Sequence, residues 1–267
     1  MPRIDDIFTQ RLSQNRKLLM PFICGGHPRP GMTSQLLSAM DRAGSAIVEV
    51  GIPFSDPIAD GPVIAAAMHE ALVAGSTPKS VFDEVASVRG SLECGLIAMV
   101  SVSIAYRWSG GPAGFVKDAA AAGFDGFIFP DAPLEESREF IEAAAKEGKT
   151  ASLLVSPTTP PERAAKIAEA STGFVYLVAR VGITGERDKA PDVSAPVARL
   201  RQVTKLPIAC GFGISNGEQV RAVVKHADAA IVGSAVVRRI SEAPKNGQDP
   251  VVVAESFVRS LVGGLVG

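Results

Sequence analysis

Phe174-Val175-Tyr176-Leu177-Val178-Ala179 and Ala229-Ala230-Ile231-Val232 are apolar at successive positions, with none of the apolar–polar alternation of a half-exposed strand. Strands buried on both faces belong to parallel sheets covered by helices. Short apolar and β-branched runs of the same kind recur at 18–24, 46–50, 95–101, 126–129, 152–156 and 207–211, which makes eight predicted strands with those at 174–179 and 229–232. Their starts lie 22 to 33 residues apart, enough for one strand, one helix and two short loops, except for a step of 49 residues from the second to the third. The second unit is therefore expected to carry something extra, and an additional helix is expected ahead of the first strand.

Punctuation between the strands supports helices there. Thr159-Pro160-Pro161-Glu162 and Ser215-Asn216-Gly217-Glu218 match the S/T-x-x-E capping box, and Thr77-Pro78 reads as a cap followed by proline in the first turn. Gly44, Gly123, Gly148 and Gly173 close helical segments just before strands, where a left-handed residue is wanted. The 267-residue length allows two ordinary domains or one large one. Eight βα units without a Pro/Gly/Ser-rich linker predict a single α/β domain over 1–267, a closed (β/α)8 TIM barrel, rather than an open doubly wound sheet. Gly211-Phe212-Gly213-Ile214-Ser215-Asn216 also lacks the third glycine of a dinucleotide fingerprint.

Composition excludes whole classes of function. Lys+Arg total 27 against 28 Asp+Glu, a net charge of −1, so no basic excess exists for nucleic acid or an anionic membrane surface. Cys24, Cys94 and Cys210 are widely spaced in apolar runs and read as buried free thiols of a reducing compartment. With no export signal and no apolar stretch of ~20 residues, a cytoplasmic protein is expected.

In a barrel, chemistry belongs to the C-terminal ends of the strands. Glu49 lies one residue from the end of the second strand, where burying an unpaired carboxylate costs several kcal/mol. Asp60 follows in the stiff loop Gly51-Ile52-Pro53-Phe54-Ser55-Asp56-Pro57-Ile58-Ala59-Asp60-Gly61-Pro62. Two carboxylates in unlike surroundings can divide acid and base roles. The structural alternative is that Glu49 pairs with an arginine across the barrel and Asp60 caps a helix. Gly182-Ile183-Thr184-Gly185, Gly211-Phe212-Gly213 and Gly233-Ser234 follow consecutive strands and suit a phosphate held by backbone amides, though glycines also serve tight turns. The charged loop from Gly182 to Asp192 reads as a lid or as an ordinary solvated loop. His27, His69 and His226 lack metal-ligand spacing, so no metal site is expected; His27 follows the first strand and reads as a surface or capping histidine in preference to one facing the mouth. No lysine ends a strand, which argues against Schiff-base chemistry and leaves acid–base chemistry on a phosphorylated substrate.

The run Val48-Glu49-Val50-Gly51-Ile52-Pro53-Phe54-Ser55-Asp56-Pro57-Ile58-Ala59-Asp60-Gly61-Pro62 closely resembles the signature of the tryptophan synthase alpha chain family. Pro21-Phe22, Pro130-Asp131, Tyr176, Gly182-Ile183-Thr184-Gly185, Gly211-Phe212-Gly213-Ile214-Ser215 and Val232-Gly233-Ser234-Ala235 extend the likeness in order over nearly the whole chain. The resemblance implies retro-aldol cleavage of indole-3-glycerol phosphate to indole and glyceraldehyde 3-phosphate, with no cofactor on this subunit. It implies a pyridoxal-phosphate-dependent beta chain as partner in an α2β2 heterotetramer. By motif, Glu49 becomes the general acid–base and Asp60 the group facing the indole nitrogen. Phe22 and Tyr176 become indole-pocket walls, and Thr184 a lid residue positioning Asp60. Gly185, Phe212, Gly213, Gly233 and Ser234 become the phosphate site, and Pro53, Asp56 and Pro57 the face toward the beta chain. Two departures stand out: Ser101-Val102-Ser103 where the family usually shows Tyr-x-Asn, and Gly26-His27-Pro28 where it often shows Gly-Asp-Pro. A stand-alone indole-glycerol-phosphate lyase, a non-catalytic phosphate-binding regulatory subunit and a phosphosugar isomerase or epimerase are the competing readings.

Overall fold

The computed structural model describes residues 1–57, 60–179, 191–211 and 213–265. Nine parallel strand segments form one sheet: β1 (Leu18–Cys24), β2 (Ile47–Gly51), β3 (Gly95–Met99), β4 (Gly126–Ile128), β5 (Thr150–Ala151), β6 (Leu154–Val155), β7 (Val175–Val178), β8 (Ile208–Gly211) and β9 (Ala229–Val232). Their hydrogen-bonded order is β5-β4-β3-β2-β1-β9-β8-β7-β6, so the two edge segments are consecutive in the chain. The fifth strand, expected at 152–156, is instead two segments, β6 inside that range and β5 just ahead of it, one paired with β7 and the other with β4. Across the break the backbone still bonds on both sides, Ser152 N to the Phe127 carbonyl at 3.0 Å and Tyr176 N to the Leu153 carbonyl at 3.1 Å. The hydroxyls of Ser171 and Thr172 accept from the Leu153 and Ala151 amides at 3.2 and 2.7 Å. Eight staves close the barrel, and side chains substitute for ladder bonds where the fifth one bends.

Helices cover the outside. The long second step holds two of them, α3 (Pro62–Val73) and α4 (Pro78–Arg89), joined by Thr77, whose hydroxyl accepts from the Ser80 amide at 3.1 Å. The other two capping expectations are corrected. The helix Pro161–Ala170 starts from Pro160 without a side-chain cap, because the Thr159 hydroxyl accepts instead from the Ser156 amide at 3.0 Å. The helix Gly217–Val224 is capped by Asn216, whose side-chain oxygen accepts from Gln219 N at 2.9 Å. Gly44, Gly123, Gly148 and Gly173 all have positive φ, between 65° and 111°, as helix-to-strand turns require. The third strand ends at Met99, and Ser101 caps a short helix, α5 (Val102–Arg107).

Pro21 lies inside the fully buried β1, an unusual place for a residue without an N–H. It closes the register with β9 opposite Val232 and precedes the first pair with β2, Phe22 opposite Glu49. The missing donor thus falls where the strand exchanges one ladder for the other.

Helix α1 (Arg3–Ser13) is the additional N-terminal element. Its fully buried Ile4 and Phe8 join the barrel-interior cluster with Leu18, Met20, Ile47 and Phe174. The Phe8 and Phe174 ring centroids are 5.6 Å apart. Plugging the N-terminal end leaves the C-terminal end as the open mouth. Cys24, Cys94 and Cys210 are buried free thiols, and no helix among the described residues is long and apolar enough to cross a membrane.

Candidate active site

Glu49 points inward because Ile47, two residues earlier on β2, faces the barrel interior and side chains alternate along a strand. The residue is 1% exposed, and neither carboxyl oxygen has a hydrogen-bond partner among the described residues. Burial alone pushes its pKa up to about 8. The cross-barrel arginine of the structural alternative does not appear among these residues.

Two other buried acids show what a structural carboxylate needs. Asp125 accepts from Arg89 at 3.1 Å and from the Leu96 amide at 3.0 Å, with Lys149 at 3.8 Å. Asp228 accepts from Lys17 at 3.2 Å, from the Ile208 amide at 2.9 Å and from Arg201. Both precede strands and lie at the end opposite the mouth. Glu49 has the burial of these acids without their partners.

Asp60 is carried to the mouth by the proline-rich connection between β2 and α3. It does not cap that helix: the N-cap is Gly61, and no side-chain cap bond forms. Burial raises the Asp60 pKa to about 6. Glu49 and Asp60 line one cavity together with Phe22, Ile64, Met99, Pro130, Leu154, Tyr176, Gly213, Ile214, Ile231, Gly233 and Ser234. Its volume is about 670 Å³ with the open mouth included, a size suited to a small organic ligand.

Strand glycines make room for the two pocket aromatics. A Cβ on Gly51 would stand 2.3 Å from Phe22 Cζ, and one on Gly211 would stand 2.3 Å from the Tyr176 hydroxyl oxygen. Each ring therefore lies against the bare backbone of the neighbouring strand. At Gly213, Gly233 and Ser234 the lining is largely backbone. Gly213 has φ +77°, and Gly233 precedes the nine-residue helix Ser234–Glu242, in which the Val236 and Val237 amides donate to the Gly233 carbonyl at 2.9 and 3.1 Å while those of Ser234 and Ala235, ahead of them, have no backbone partner among the described residues. A helix N-terminus of this kind attracts an anion by its N–H groups and its dipole.

Seven sequence-predicted site residues thus meet around one cavity: Phe22, Glu49, Asp60, Tyr176, Gly213, Gly233 and Ser234. Thr184, Gly185 and Phe212 lie outside the described residues. Asp56 and Pro57 line a second cavity that adjoins the first, while Pro53 is buried in the β2–α3 connection. Met99, Leu154, Ile231 and Ile64 were missed by sequence reasoning. Met99, Leu154 and Ile231 lie on strands and, like Ile47 on Glu49's face of β2, belong to the barrel-interior face, which is the signal that finds them.

The two departures also resolve. Ser101 Oγ donates to Asp131 at 2.7 Å and the Val102 amide donates to the same carboxylate at 3.0 Å, so this pair ties the β3 and β4 loops together. His27 is corrected from a surface or capping residue to a buried one, 1% exposed. Its Nε2 is 2.8 Å from Ser241 Oγ, and its Nδ1 is 3.4 Å from Glu70 Oε2. The described residues contain no cluster of His, Cys, Asp and Glu that could hold a metal ion.

A family model described as tryptophan synthase alpha chain matches residues 8–262. The tryptophan synthase alpha chain of Synechococcus sp. is 44% identical over 238 residues, 88% of each chain. That of Acaryochloris marina is 40% identical over 269 residues, 100% of this chain and 99% of the other. The crystal structure of tryptophan synthase subunit alpha from Legionella pneumophila superposes with a TM-score of 0.91 at 32% identity, covering 99% of this chain and 98% of that one.

Proposed function

This chain belongs to the tryptophan synthase alpha chain family, and from that premise we propose that it cleaves indole-3-glycerol phosphate to indole and glyceraldehyde 3-phosphate, a carbon–carbon lyase reaction of tryptophan biosynthesis. The observation that carries the site assignment is the buried Glu49 carboxyl in the cavity, without a hydrogen-bond partner among the described residues and held protonated at neutral pH.

In this reading Glu49 donates its proton to carbon 3 of the indole ring. Positive charge then develops at the ring nitrogen, and the Asp60 carboxylate faces it. The bond from carbon 3 to the side chain breaks, its electron pair returns to the ring, and the hydroxyl on the departing carbon becomes the aldehyde as its proton passes back to Glu49. Protons balance, so the step asks for no cofactor from this subunit. Phe22 and Tyr176 sandwich the apolar ring, which also keeps water from the carboxyl and so keeps it neutral. The amides around Gly213, Gly233 and Ser234 hold the phosphate, with Gly185 and Phe212 assigned to the same task and Thr184 to positioning Asp60 on the family resemblance.

The β2–α3 connection with Pro53, Asp56 and Pro57 is assigned to the face toward a beta chain, which would carry the pyridoxal phosphate of an α2β2 heterotetramer in the cytoplasm. The whole of 1–267 is taken as one domain. Release of glyceraldehyde 3-phosphate from indole-3-glycerol phosphate, measured on the purified chain, tests the reading. Glu49→Gln is expected to lose about 10²-fold or more in kcat, the scale of a general acid–base group. Activity unchanged in Glu49→Gln would overturn the assignment.

A further inference from the structure

We propose that Met99 is a specificity-determining residue for this reaction: it partitions the indole-sized cavity from an apolar annex and limits the substituents the indole ring can carry on its Asp60 side. The inference rests on the proposed function and adds to it a substrate class, ring-alkylated indole-glycerol phosphates.

The annex is the second cavity, about 730 Å³ with its open side included, floored by Ile52, Met68 and Val100. It shares three wall residues with the first cavity: Asp60, Met99 and Pro130. Asp60 belongs to the chemistry and Pro130 is fixed by its ring. That leaves Met99, an unbranched thioether with several rotatable bonds, as the part of the wall that can change shape. Met99 is partly buried and packs both on the barrel-interior cluster and on the Phe22–Ile64–Met68 cluster, so it spans the boundary between the two spaces.

The carboxylates orient the ring relative to that wall. Glu49 lines the first cavity but not the second, whereas Asp60 lines both. With carbon 3 toward Glu49 and the nitrogen toward Asp60, ring position 7, next to the nitrogen, faces the shared wall. Position 4, next to carbon 3, faces the closed side. A methyl group at position 7 is directed at the annex and one at position 4 is not.

The test measures kcat/KM for indole-3-glycerol phosphate and its 7-methyl and 4-methyl derivatives, read as glyceraldehyde 3-phosphate release, with the full-length chain, its Met99→Ala variant and its Met99→Leu variant, each with the cognate beta chain added. The unmodified chain is expected to accept the 7-methyl compound better than the 4-methyl one. Met99→Ala is expected to raise the ratio of 7-methyl to unsubstituted kcat/KM by about tenfold, the scale of a hydrophobic-pocket adjustment, with no matching rise for 4-methyl. Met99→Leu, which keeps the wall's bulk, is expected to hold the original ratio. Equal rejection of both methyl compounds by the unmodified chain, or a ratio unmoved in an active Met99→Ala, overturns the proposal. If Met99→Ala fails to fold, the preference of the unmodified chain decides. Failure of the unmodified chain to cleave even the unsubstituted compound would instead count against the proposed function.

Discussion

Glu49 and Asp60 titrate on opposite sides of neutrality, near 8 and near 6, so between those values the pair is one protonated acid and one carboxylate. kcat/KM is therefore expected to rise as pH passes about 6, where Asp60 ionises, and to fall as pH passes about 8, where Glu49 loses the proton it must donate. Asp60→Asn should flatten the acidic limb and leave the alkaline one, which a pH profile of the variant checks. Stability carries its own signature. Glu49 binds a proton in the folded chain between its ordinary value of 4.5 and about 8, a window in which the unfolded chain has released it. Stability contributed at this position thus declines as pH rises through that window. Glu49→Gln, which cannot ionise, is expected to gain on the parent as pH rises from 4.5 to about 8 in denaturant unfolding, with no further gain above that. Gly211 offers a steric test. Alanine there brings a methyl group against the Tyr176 hydroxyl, and displacing that ring should raise KM by about tenfold, consistent with the 1–3 kcal/mol cost of overpacking. Glu49 was readable in the sequence because a carboxylate in an apolar strand is anomalous. Met99 was not, because a methionine in such a run is ordinary and only the barrel shows that it faces two spaces.

At the level of elements, seven of the eight staves follow from apolar runs and their spacing. The fifth breaks because Ser152 sits mid-strand, with its hydroxyl donating to the Thr172 carbonyl at 3.0 Å. That bond and the Ser171 and Thr172 caps join segments some 20 residues apart, beyond the reach of any local pattern. The capping motifs failed for a related reason. Thr159 and Ser215 each had a second acceptable partner nearby, and propensity cannot choose between hydrogen bonds of similar strength. The N-terminal helix was expected, but its role as a plug was not, since two buried residues in eleven make a weak stripe. Phe8→Ala should cost about 3–5 kcal/mol of unfolding free energy, because the ring has no other contact surface to move to. KM for the substrate should stay within about twofold, since the plug lies at the far end of the barrel from the cavity. A large KM change would mean that the interior transmits the perturbation along its length.

The whole molecule has two unlike ends. At the closed end Asp125 and Asp228 are held by cations and backbone amides. At the open end Glu49 stands in a largely apolar cavity that the N-terminus of the helix Ser234–Glu242 also lines. The near-zero net charge read from the composition concealed this polarity, since a sum contains no positions. Within the β2–α3 connection Ser55 and Asp56 are exposed. If a beta chain docks there, adding it should raise the rate of substrate cleavage several-fold, and Asp56→Ala should weaken that stimulation while leaving the unstimulated rate in place. Rates independent of the beta chain would favour the stand-alone lyase.

The separation of the two ends also bears on how such a chain can change over generations. Substitutions that strengthen or loosen the ionic floor alter tolerance to heat or salt without touching the residues that handle the substrate. Those that reshape the mouth alter chemistry on a foundation that stays intact. Adaptation to a new environment and adaptation to a new metabolite therefore draw on different positions, and a lineage can pursue one without forfeiting the other.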